Sequence, residues 1–158
     1  MSRTTIWNVY KTKATIHSEL SNAWLSAPPL WNFLCSTYLE GKNWLQEIYT
    51  SALWDLWKNS SVPAFLRCSL LMTFDKGVVL VDDLPDAAEY CRHTHHFLGN
   101  NSHWNSIAEA LADIWMLHDY RLFGVGLGCT SVSDPWWGYN KNQWKELFSV
   151  IDSVNEIK

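Results

Sequence analysis

Apolar positions recur at helical spacing through most of the chain. Within 43–58, Leu45, Ile48, Tyr49, Ala52, Leu53 and Leu56 fall at i, i+3, i+4, i+7, i+8 and i+11. At about 100° per residue these positions share one face, the pattern of an amphipathic helix laid against a core. Trp54 and Trp57 fall on the opposite face, among Glu47, Thr50, Ser51 and Lys58. Two indoles on a polar face need cover, either from elsewhere in the chain or from another molecule.

The same periodicity predicts helices over 13–25, 29–40 and 83–98, one starting at Ser102, and a last one over 142–156. Ser26 is placed to cap the second of these, with Pro28 and Pro29 in its first turn and Gly41 as its stop. Residues 64–74 are apolar nearly all round, which predicts a central buried helix, followed by a short extended segment. The rival there is a hairpin turning through Asp75, Lys76 and Gly77. Residues 4–12 are rich in β-branched and aromatic side chains and fit either a strand or the start of a helix. Residues 121–133, rich in glycine, predict a small two-stranded element, and 134–140 a turn-rich aromatic loop. The fold class expected is mainly α, a single-domain bundle of about six helices over 1–158, all-α but for that small β element.

Composition adds one unusual feature. The chain has 158 residues, 47% apolar and 18% charged, as a single globular domain would. It carries 11 tryptophans. Trp31, Trp44, Trp104 and Trp144 each fall in the first turn of an expected helix, where a large side chain staples the incoming chain to the helix body. The surplus suits interfaces, where tryptophan is enriched.

Charge excludes some classes. The net charge is −4, and Arg3, Lys11 and Lys13 form the densest basic patch. Binding phosphates needs a basic stripe, so no direct nucleic-acid contact is expected. The N-terminal residues lack the apolar core of a signal peptide, and no apolar run reaches membrane-spanning length. A cytoplasmic protein without a membrane partner is expected, with Cys35, Cys68, Cys91 and Cys129 as reduced thiols.

Four stretches carry candidate chemistry. Cys91 and His95 have the i, i+4 spacing of ligands on one helix face, and two more ligands for a zinc site would have to come from His103, Cys129 or His118. The bland reading makes Cys91 a small core hydrophobe and His95 a hydrogen-bonded core histidine. The glycines of 124–128 end at a cysteine, yet no helix follows them and no Walker lysine, so a tight hairpin or bulge explains them better than a phosphate cradle. Glu109 with Asp113, and His118 with Asp119, read as solvated charge rather than acid–base machinery. The loop containing Trp136, Trp137 and Tyr139 suits a flat contact with a partner.

These features favour a non-catalytic protein-binding protein, an inhibitor or adaptor, with Trp54, Trp57, Trp136, Trp137 and Tyr139 as its partner-binding residues. No catalytic residue is assigned and no cofactor is expected. The short, mildly acidic, aromatic-rich chain has the texture of phage- or plasmid-encoded inhibitors of host defence or toxin proteins. The partner is a protein target or a second copy of the chain. The alternative is a metal- or thiol-dependent enzyme built on Cys91, His95, His103 and Cys129, with zinc as its metal.

Overall fold

A computed structural model describes residues 2–129 and 146–157. The chain opens with β1 (Arg3–Val9) and β2 (Ala14–Ser21), an antiparallel hairpin. A 3-10 turn at Ala23–Leu25 leads into α1 (Ala27–Tyr38), then α2 (Trp44–Glu47) and α3 (Ser51–Trp54), the last extended by a 3-10 turn at Asp55–Lys58. Next come α4 (Ala64–Met72), β3 (Gly77–Leu80), α5 (Leu84–Leu98), α6 (Trp104–Leu117) and β4 (Gly124–Gly128). Beyond Glu146, β5 (Phe148–Ser149) runs into α7 (Val150–Glu156). The strands form one sheet in the order β2-β1-β4-β3-β5. Its pairs are antiparallel except β3 with β5, which is parallel.

The sheet overturns the expected helical bundle: the fold is α+β, not all-α. Three corrections explain the difference. First, 13–25 is not a helix. Most of it is β2, an edge strand largely exposed on both faces, so the alternation that marks a half-buried strand is missing from its sequence. Ile6 and Val9, put on one helical stripe by their spacing, are three apart in a strand and face opposite ways. Ile6 joins the main core and Val9 packs with Val78 on the other face of the sheet. The hairpin register shifts between Ile6 and Trp7, where His17 is the extra residue of β2.

Second, the described part of the glycine-rich stretch is a strand of the main sheet and not half of a separate two-stranded element. β4 is the middle strand of the sheet, between β1 and β3. Val125 and Leu127 enter the main core. A Cβ on Gly124 would run into the Val79 carbonyl and stand 2.8 Å from Val78 Cγ2, so a side chain there would push β3 away. Third, 43–58 is not one helix but two short ones with a break at Ile48–Thr50.

The buried helices follow their sequence patterns more closely. In α4, Leu66 to Met72 are all buried, as expected for a helix apolar all round, and the short extended segment after it is β3. Arg67 is buried with them. Its Nε donates to the Val62 carbonyl at 2.9 Å and its Nη1 to the Val154 carbonyl at 3.1 Å, tying α4 to the last turn of α7. A cation there also meets the negative end of the α7 dipole. α5 stops at Gly99, whose φ of 77° suits glycine. No helix among the described residues is long and apolar enough to cross a membrane.

Candidate functional site

α1, α2, α3 and the α4–β3 turn line an aromatic cavity of about 730 Å³. That volume lies within the usual range for ligand sites. Its walls come from elements far apart in sequence: the 3-10 turn brings Trp24, α1 brings Pro28 and Trp31, α2 brings Trp44 and Leu45, and α3 brings Trp54. The α4–β3 turn contributes Thr73 to Lys76, and β5 adds Phe148.

Local chemistry fixes each indole. Asn22, at a φ of 65°, caps the 3-10 turn by accepting from the Trp24 N–H at 3.2 Å, and Trp24 is left 51% exposed. Asn43 caps α2 through the Leu45 N–H at 3.0 Å, which sets Trp44 in the first turn. The Trp31 indole donates to the Thr73 hydroxyl at 3.3 Å, joining α1 to the α4–β3 turn. The Trp54 indole donates to the Ile48 carbonyl at 3.0 Å.

The rings form a continuous wall. Trp24 meets Trp44 at 5.5 Å between centroids, Trp44 meets Trp31 at 5.6 Å, Trp31 meets Trp54 at 5.4 Å, and Trp54 meets Phe74 at 4.9 Å. Interplanar angles of 70°, 79° and 87° make three of these contacts edge-to-face, the arrangement that the ring quadrupoles favour. Tyr49 and Leu45 stand exposed at the mouth.

Two charges lie on the rim. Lys76 forms an ion pair with Glu146. Asp75 makes no hydrogen bond or ion pair with another described residue. Desolvation at the cavity edge raises its carboxyl pKa, and the Lys76 charge offsets this only in part.

The residues expected at a partner site separate. Trp54 belongs to the cavity wall, whereas Trp57 is half-buried against the core with the Lys58 ammonium 5.5 Å from its ring centroid. Trp136, Trp137 and Tyr139 lie outside the described residues. Sequence reasoning missed Trp24, Trp31, Trp44 and Phe74 as members of one site. Their spacing shows no period because four elements supply them.

The expected metal residues are not brought together. Among the described residues no three His, Cys, Asp or Glu side chains are grouped to hold a metal. Cys91 is fully buried, its Sγ 3.6 Å from Met72 Sδ, and burial pushes its thiol pKa up. His95 Nδ1 lies 3.1 Å from the Ser102 hydroxyl. Cys129 borders the aromatic cavity.

His103 joins a different network. Its Nδ1 is 2.9 Å from the Ser26 hydroxyl, which is 2.5 Å from that of Thr4. Ser26 makes no side-chain cap for α1, because its hydroxyl is engaged here. Its carbonyl accepts from the indole of the wholly buried Trp104 at 2.8 Å. A serine–histidine contact invites a nucleophile reading, but Ser26 and Thr4 are completely buried, so no substrate reaches the hydroxyl. The network joins β1, α1 and α6. No protein-family model, curated protein or solved structure matches the chain.

Proposed function

We propose that this protein is a non-catalytic binding protein, an inhibitor or adaptor, that seats part of a target protein in the aromatic cavity. The observation that carries the reading is the wall of Trp24, Trp44, Trp31, Trp54 and Phe74 around an open space. Rigid aromatic walls give much contact area at little entropic cost, and pockets of this kind accept the anchoring side chains that dominate interface energetics. Trp24, Leu45 and Tyr49 at the mouth would be covered when a partner docks. A phage- or plasmid-encoded inhibitor of a host defence or toxin protein is the form of activity that the chain's texture suggests.

Affinity capture from host cells tests this with wild type and a Trp24→Ala, Tyr49→Ala double variant. Both positions are exposed, so the variant is expected to fold, which circular dichroism checks. The expected result is a single protein retained in stoichiometric amount by wild type and lost by the variant. Equal retention by the two would remove the cavity mouth from the interface.

A further inference from the structure

We propose that the group this cavity takes from its protein partner is an alkylammonium: a lysine side chain, with or without N-methyl groups. The inference rests on the reading of the cavity as the partner site and adds the chemistry of what enters it.

The first argument is the wall. A purely aliphatic pocket would serve any apolar side chain. Beside Pro28, Leu45 and Ile48, this one has a run of four indoles and the Phe74 ring, set at steep angles in three of their four contacts, with Tyr49 and Phe148 as further rings. The face of an indole is the strongest neutral partner a protein offers to a cation, and enclosure by several rings is how quaternary ammonium groups are recognised. The long methylene stem of a lysine would pack along the same rings on its way in.

The second argument is charge. Among the described residues the lining holds two formal charges, Asp75 and Lys76. Lys76 is held by Glu146, while the neighbouring Asp75 carboxylate, exposed at the rim, makes no hydrogen bond or ion pair with a described residue. A carboxylate at the rim attracts an incoming cation and repels an anion, as the ring faces also do. Both features favour the same occupant. A neutral apolar side chain would use the rings alone and gain nothing from Asp75.

The test uses the full chain and three blocked tripeptides, each with a central residue between glycines. The central residue is lysine, trimethyllysine, or the uncharged carbon isostere of trimethyllysine ending in a tert-butyl group. Tryptophan fluorescence and calorimetry report binding. The expected result is that trimethyllysine binds about tenfold or more tightly than its isostere. In Asp75→Asn that preference should fall toward parity for lysine and shrink for trimethyllysine, whose contact with the rings survives. Asp75 makes no internal bond to a described residue, so the variant is expected to fold. If the isostere binds as well as the cations, charge recognition is overturned while the cavity remains a partner site. If no peptide binds wild type, the alkylammonium inference fails, and the capture experiment above decides the cavity separately. Free choline is a further arm: binding tighter than the trimethyllysine peptide would assign the site to a small amine and overturn the protein side chain as its source.

Discussion

The indole N–H of Trp54 donates to the main-chain oxygen of Ile48 at 3.0 Å, and this contact replaces a helical hydrogen bond. In a continuous helix the Ile48 carbonyl would accept from the Ala52 N–H, four residues on. Ala52 instead donates to the Thr50 hydroxyl at 3.2 Å. One exposed threonine thus starts a second helix, and a tryptophan takes over the carbonyl that the break leaves. The break turns Trp54 toward Trp31 and Phe74, and so builds the wall.

Trp54→Phe keeps a ring in the wall and removes the N–H. Loss of one partly buried hydrogen bond is expected to destabilise the protein by about 1 kcal/mol. Trp54→Ala also removes the packing and is expected to cost about 3 kcal/mol. Urea unfolding followed by circular dichroism measures both. Equal losses would mean that the ring contributes nothing beyond its donor.

Thr50→Ala removes the α3 cap. Capping substitutions of this kind cost about 1 kcal/mol. Fluorescence-detected unfolding checks the value, and a neutral or stabilising result would show that the break does not depend on this hydroxyl.

Arg67→Met keeps an unbranched, though shorter, side chain and removes its donors to the carbonyls of Val62 and Val154. The expected loss is about 2 kcal/mol, as for buried hydrogen bonds from a charged group. Hydrogen exchange should show α7 losing protection most, because the lost contact is what ties its last turn to α4.

His103 gives a pH dependence. Burial lowers its pKa below the ordinary 6.5, so the folded state binds fewer protons than the unfolded chain in the window between the two values. Stability then rises with pH across that window. The contribution is fully present above 6.5 and is lost as pH falls through the folded value. His103→Gln retains a side-chain amide near Ser26 and cannot titrate. Its unfolding free energy should therefore fall less than that of wild type on acidification below 6.5, and parallel pH profiles would contradict the assignment.

Gly124→Ala should destabilise the sheet, because the added methyl meets the Val79 carbonyl and the Val78 side chain. A cost of about 2 kcal/mol is expected from forced displacement of packed strands. Thermal unfolding measures it, and a melting temperature equal to that of wild type would mean that β3 yields without cost.

What the sequence by itself determined is the set of long buried elements and their ends. α4 is legible as apolar all round, α5 begins where Pro85 permits and ends at Gly99, and α6 carries Ile107, Ala108 and Leu111 on one buried stripe. These signals are local, because burial against one core imprints the helical period on the residues themselves.

The tertiary structure decided the rest. β2 lacks an alternating pattern because it lies at an exposed edge, and β4 could be placed only through its pairing with β1 and β3. The helix break at Ile48–Thr50 depends on a single hydroxyl competing with a main-chain bond, a balance that apolar spacing does not report. Trp24, Trp31, Trp44 and Trp54 became neighbours only when four elements folded around one space, since side chains from separate elements share no period in sequence. The same folding parted Trp54 from Trp57 and sent Cys91, His95 and His103 to different partners, because proximity along a chain does not fix direction in space.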